Sequence, residues 1–150
     1  MKLDEKNNLK LIGKNKEDLK VISAYLQDSI VTIKDIAFLK KGRTFIMIVN
    51  RFMWEDVEKG VFRKNKRIRT ILKIENVLSV ISKNINQKKK DFFLDFLTIE
   101  TKQMTDKTYE MNLIFSGNSI IKINAEVIEV FLDDQGLPWD SKNKPTHVDL

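Results

Sequence analysis

The chain of 150 residues contains no cysteine, one histidine, two prolines and five glycines. Without thiols there is no disulfide framework, no cysteine-based zinc site and no cysteine nucleophile. One histidine excludes a multi-histidine metal cluster, and His147, close to the end of the sequence, is poorly placed to be oriented as a catalytic base. We therefore expect no metal and no other cofactor, and an enzyme is the less favoured class.

The glycines are scattered singly, so neither a phosphate-binding P-loop nor a dinucleotide fingerprint is present. No apolar run approaches the roughly 20 residues that a membrane-spanning helix needs. The first residues, Met1 to Lys6, lack the hydrophobic core of a secretion signal. These absences predict a cytoplasmic protein without a membrane span.

What the sequence does contain is enough apolar material for a core, with 42% hydrophobic and 32% charged residues. No internal repeat or linker divides it. We expect a single domain over residues 1–150, with the segments 1–8 and 140–150 as its mobile ends.

Helical spacing first appears after Asn15, a favourable N-cap, and predicts an amphipathic helix from Lys16 to Gln27 or Asp28. From Ile30 the apolar period changes to that of extended chain. Before the helix, Leu9 to Ile12 is a short strand or entry segment. About seven strands are predicted after it, over residues 30–39, 44–53, 66–74, 77–83, 92–101, 109–115 and 119–123.

A second helix is predicted after the last of these strands, with Asn124 as its N-cap and Gly136 just beyond its end. Projection at 100° per residue places apolar side chains on one side and Glu126, Glu129, Asp133 and Asp134 on the other. The expected fold class is α+β, mainly antiparallel β. We expect a pleckstrin-homology-like barrel or sandwich with an N-terminal helix and a C-terminal capping helix. A plain α+β sheet with two helices on one side is the alternative.

Charge is unevenly distributed along the chain. The net charge is +6, yet residues 59–90 hold eleven Lys or Arg and one acid, so the remaining residues sum to −4. A basic stretch of this kind is either a solvated face or a surface that grips phosphates of a nucleic acid or an anionic lipid. The candidate polyanion-binding residues are Arg63, Lys64, Lys66, Arg67, Arg69 and Lys73.

Arg51, Trp54 and Glu55 form a second candidate site at a predicted strand end. An arginine beside a tryptophan can present an aromatic wall with a bidentate hydrogen-bond donor to a ligand. The alternative is structural, with Trp54 in the core and Arg51 paired to Glu55.

Three segments together resemble a known family. They are Leu9 to Ile12 with Asp18-Leu19 and Leu26 to Asp28; Asn50 to Phe52 with Trp54-Glu55; and Gly136 to Trp139 with Pro145 and His147. The chain resembles the uncharacterised alphaproteobacterial family called domain of unknown function 2948, and Arg67 to Thr70 fit that family's basic stretch. The resemblance implies membership and carries no activity or catalytic residue with it.

The missing catalytic groups favour a non-catalytic binding module for a protein, peptide or small ligand. The charge asymmetry leaves self-association open, with the basic stretch of one copy on the acidic helix face of another. Binding of a polyanion through residues 59–90 is the alternative function.

Overall fold

The computed structural model describes residues 8–55 and 65–141. Within these ranges the chain forms one α-helix, α1 (Lys16–Leu26), two short 3₁₀ turns and ten strands. The strands are β1 (Lys10–Gly13), β2 (Ile30–Thr32), β3 (Ile36–Leu39), β4 (Thr44–Phe52), β5 (Lys66–Ile74), β6 (Val77–Lys83), β7 (Phe93–Gln103), β8 (Tyr109–Phe115), β9 (Ile120–Ala125) and β10 (Val130–Asp140).

Helix α1 confirms the prediction from its N-cap and its apolar spacing. The side chain of Asn15 accepts a hydrogen bond from the backbone N–H of Asp18 at 2.8 Å, which satisfies one of the free donors of the first turn. Its apolar side chains, Leu19, Ile22 and Leu26, are fully buried. The helix therefore docks on the concave side of the sheet through the stripe that the sequence shows.

All strand pairs in the sheet are antiparallel, in the order β1, β10, β5, β4, β2, β7, β8, β9, β6, and β3 pairs with β4 beyond the short β2. The sheet curves, because the inward side chains of β4, β5 and β10 share one hydrophobic cluster with those of β7, β8 and β9. It does not close, since β1 and β6 are its two ends.

The strands β5, β6 and β8 have the predicted bounds, and β5 shows the predicted two faces. Ile68, Thr70 and Leu72 are buried, whereas Arg69 and Lys73 lie on the outer face. The short connection between β5 and β6 places Asn76 at a positive φ of 58°. It carries the chain from one half of the sheet to the other, so β6 pairs with β9 rather than with β5.

The predicted C-terminal helix is wrong, because Val130–Asp140 is strand β10. Its first residues alternate, with Val130, Leu132 and Asp134 inward and Phe131 and Asp133 less buried between them. The spacing of the apolar residues from 127 to 132 fits a helix as well as a strand. Pairing with β1 on one side and β5 on the other decides the outcome, because it supplies hydrogen-bond partners along both edges of β10.

The number of strands is ten rather than seven. The predicted strand 30–39 is divided by a 3₁₀ turn at Ile33–Asp35, and β1 and β10 complete the count. Without a C-terminal helix and without closure of the sheet, the pleckstrin-homology-like arrangement is not confirmed. The acidic helix face invoked for self-association is also lost, since Asp134 is buried and Glu126 pairs with Arg43 at 2.8 Å.

Candidate functional site

Arg51 is paired with Glu55 at the end of β4, which was one of the predicted alternatives. It is also paired with Asp134, which the sequence did not predict. Its guanidinium donates to Asp134 of β10 through Nε at 3.1 Å and Nη2 at 2.8 Å. Nη1 and Nη2 each donate to Glu55 at 2.9 Å, and Nη1 also reaches the carbonyl of Phe52 at 3.4 Å. The Arg51 side chain is 0% exposed. Its five N–H donors are therefore all engaged within the chain.

Asp134 is equally well satisfied. Beside its two contacts with Arg51, its carboxylate accepts hydrogen bonds from the hydroxyl of Thr70 at 2.7 Å and from the backbone N–H of Leu9 at 2.9 Å. This cluster links β10, β5 and β4 with the residues that lead into β1. Its geometry is that of a structural ion pair.

The pKa of Arg51 is set by two opposing effects. Burial lowers it, but the hydrogen bonds and negative charges of Glu55 and Asp134 raise it more, so the pKa of Arg51 lies above its ordinary value. The guanidinium is therefore a permanent cation that is shared between two carboxylates. It has no spare donor for a ligand in this arrangement.

Trp54 is only half-buried and lies at the surface beside this cluster. Its indole N–H donates to the carbonyl of Gln27 at 2.7 Å, just after α1, and its ring meets the edge of Phe52 with centroids 4.6 Å apart. The ring thus ties the end of β4 to the end of α1. A ligand-binding role for Arg51, Trp54 and Glu55 stays a prediction.

The structure describes four of the six candidate polyanion-binding residues; Arg63 and Lys64 lie outside the described residues. Arg67 donates to the carbonyls of Asp28 and Asn50 at 3.1 and 3.0 Å, and burial lowers its pKa more than the charges of Asp28 and Asp95 raise it. The ammonium of Lys73 lies 4.8 Å from the ring centre of Phe131.

Of the remaining two described candidates, Arg69 is exposed on the outer face of β5 and Lys66 is half-buried at its start. Two of the four described basic residues, Arg67 and Lys73, therefore make contacts within the fold. Polyanion binding by these residues stays a prediction.

A groove that the sequence does not predict lies between β3 and β6. It consists of two adjoining depressions of about 540 and 370 Å³, and both are lined by Phe38, Lys40 and Val80. We call this depression the edge groove, because β3 and β6 each have one sheet neighbour, β4 and β9 respectively. Every second backbone group of such a strand points away from its neighbour.

The ends of the edge groove are tied by backbone hydrogen bonds. At one end the N–H of Val77 donates to the carbonyl of Arg43 at 2.9 Å. At the other end the N–H of Lys34 donates to the carbonyl of Lys90 at 3.0 Å. Val77 and Arg43 line the first depression, whereas Ser82 and Ile36 line the second, so β3 and β6 run in opposite directions across the groove.

The floor of the edge groove is apolar and its rim is cationic. Phe45 and Ile121, which line its base, belong to the hydrophobic core. Lys40, Arg43 and Lys90 line its walls, and no aspartate or glutamate is among the lining residues. Over the described ranges, Lys40 and Lys90 have no carboxylate within 4 Å, whereas Arg43 is paired with Glu126.

Comparison with known proteins supplies a family without an activity. A family model described as "Protein of unknown function (DUF2948)" matches residues 9–147. The chain belongs to this family. Neither a curated protein nor a solved structure matches it. The match confirms the resemblance found in the three sequence segments and assigns no function to any residue.

The described residues contain neither a candidate metal site nor a candidate membrane-spanning helix. In residues 8–55 and 65–141, no group of three or more His, Cys, Asp or Glu side chains is arranged to hold a metal ion. No helix in the same ranges is long and apolar enough to cross a membrane.

The edge groove was missed because it depends on which strands lack a neighbour. The sequence predicts 30–39 and 77–83 as strands but carries no signal for their pairing partners. A weak signal was present at Lys34 and Asp35, which interrupt the apolar alternation where the 3₁₀ turn separates β2 from β3.

Proposed function

We propose that this chain is a non-catalytic binding module that holds an extended peptide segment of a partner protein in the edge groove. The observation that carries the proposal is the pair of unshared strand edges, β3 and β6, facing one another across an apolar floor. A peptide added to such an edge gains main-chain hydrogen bonds, and its alternate side chains enter the pockets below.

The dimensions support an extended ligand over a compact one. At about 3.3 Å per residue, the four residues of β3 and the seven of β6 offer edges of roughly 13 and 23 Å. Edges of these lengths suit a strand of about four to seven residues.

The experiment uses the whole chain and a display library of random twelve-residue peptides. Enriched peptides are synthesised and their affinity is measured by fluorescence anisotropy for the wild type and two variants. Ser82→Trp places an indole in the groove, and Ile81→Trp places the same group on the opposite, 60% exposed side of β6. We expect at least a tenfold weaker affinity for Ser82→Trp and little change for Ile81→Trp.

Circular dichroism and thermal unfolding confirm that both variants are folded. If Ser82→Trp folds poorly, Phe38→Ala tests the same floor by removing a ring that lines both depressions. No enrichment of any peptide, or equal loss of affinity in the Ile81→Trp control, would overturn the proposal.

Polyanion binding is the second candidate function, and the exposed Arg69 is the observation in its favour. It is less well supported than the edge groove because Arg67 and Lys73 make contacts within the fold.

A further inference from the structure

We infer that the edge groove selects an acidic extended segment, one in which aspartate or glutamate alternates with apolar residues. This inference rests on the proposed function and adds the chemistry of the partner. It follows from two features of the groove together, the cations on its walls and the apolar side chains at its base.

The alternation follows from the pleat. In a strand laid along β6, successive side chains point to opposite sides, so every second side chain faces the floor. There Phe38, Phe45 and Val80 present apolar surface, which favours residues such as valine or isoleucine. The side chains between them point up toward the rim and solvent.

The acidic preference follows from the charges at that rim. Lys40 and Lys90 lie on the groove walls without a carboxylate partner in the described ranges, and Arg43 lies at the end closed by Val77. Arg43 is already paired with Glu126, so the unpaired cations that a basic peptide meets in the groove are Lys40 and Lys90. An acidic peptide supplies the missing counter-charges, which gives both attraction and discrimination.

The test compares three synthetic peptides of one length and one apolar pattern, each with a fluorescent label: valine alternating with glutamate, with serine or with lysine. We expect the glutamate peptide to bind at least about fivefold more tightly than the serine peptide, and the lysine peptide not to bind. The affinity of the glutamate peptide should fall as salt is raised from about 0.1 M to 1 M, because the screening length shortens from roughly 10 Å to 3 Å.

A charge-reversal variant then identifies the residues responsible. The double variant Lys40→Glu, Lys90→Glu should reverse the order, so that the lysine peptide binds and the glutamate peptide does not. The control Lys14→Glu, Lys20→Glu changes the net charge by the same amount on exposed residues next to and within α1. It should keep the original order of the three peptides.

The outcomes separate the inference from the proposed function. If the glutamate and serine peptides bind with equal affinity, and Ser82→Trp weakens both, the acidic preference is overturned. The proposal of a peptide-binding module is then still supported. A weakened glutamate peptide in the Lys14, Lys20 control would show that net charge, not the groove, attracts it, and would overturn the inference. Concentration-dependent dimerisation that is blocked by Ser82→Trp would identify a second copy as the occupant and overturn the choice of a separate partner.

Discussion

Asp134 shows how one carboxylate can hold three strands of the sheet together. It lies on the inward face of β10 and receives hydrogen bonds from Arg51 of β4 and Thr70 of β5. Removing charges from water is costly, so a buried pair of this kind is weak as a net source of stability. Breaking it by removing one partner is a different matter, because Arg51 then keeps only Glu55 as a counter-charge and the buried hydroxyl of Thr70 loses its charged acceptor.

We therefore expect Asp134→Asn to lower the free energy of unfolding by about 1.5–3 kcal/mol, the scale of a buried hydrogen bond to a charged group. The neighbouring Asp133→Asn, on the outer face, should change it by less than about 0.5 kcal/mol. Urea unfolding followed by tryptophan fluorescence measures both. Equal stability of the two variants would mean that Arg51 finds other compensation and that the cluster is dispensable for the fold.

At the scale of elements, the contact between β1 and α1 depends on a position without a side chain. A Cβ added to Gly13 would lie 2.9 Å from Cδ1 of Ile22 and 3.2 Å from Cδ2 of Leu19, both on the buried stripe of α1. A side chain at position 13 therefore requires the buried Ile22 side chain to shift. Gly42, in the turn between β3 and β4, has no neighbour closer than Thr44 Oγ1 at 3.5 Å.

Gly13→Ala should consequently destabilise the protein by about 1–3 kcal/mol through overpacking. Gly42→Ala is the matched control and should stay within about 0.5 kcal/mol of the wild type. Thermal unfolding at fixed pH and salt measures the difference. A Gly13→Ala variant as stable as the control would show that α1 shifts at no cost, and that its docking on β1 is loose.

On the scale of the whole molecule, the open sheet predicts an uneven pattern of protection. β5 has β10 on one side and β4 on the other, whereas β6 has β9 on one side and faces the edge groove on the other. In hydrogen exchange followed by NMR, the slowest amides should include those of β5. Alternate amides of β6 should exchange at least about tenfold faster. Uniform protection along β6 would mean that its free edge is already covered.

The elements that the sequence predicted well are those whose residues also specify their own local conformation. α1 has a cap, an acidic first turn and an apolar stripe, and β5 has buried residues at every second position from Ile68 to Ile74 with Arg69 and Lys73 between them. β10 was mistaken for a helix because its apolar residues fit both periods and because a carboxylate was taken to be solvated. Only the distant Arg51 makes Asp134 a buried residue.

In the candidate sites too, contacts between near neighbours in the chain were predicted and contacts between distant residues were not. Pairing of Arg51 with Glu55 was one of the alternatives predicted, since the two residues are only four positions apart. The contacts of Arg67 with the carbonyls of Asp28 and Asn50 were not predicted, because they join segments far apart in the chain. The polyanion-binding hypothesis counted the charges of the basic stretch but not the contacts that occupy some of them.

By itself, the sequence determined the family, the helix near the start and most of the antiparallel strands, because period, caps and turn residues act between near neighbours in the chain. The tertiary structure alone decided that residues 130–140 form a strand, that Asp134 is buried, and that β3 and β6 leave their edges open to one another. Those outcomes depend on pairing between residues that are distant in the chain, and each backbone edge is satisfied or left free only once the whole sheet has formed.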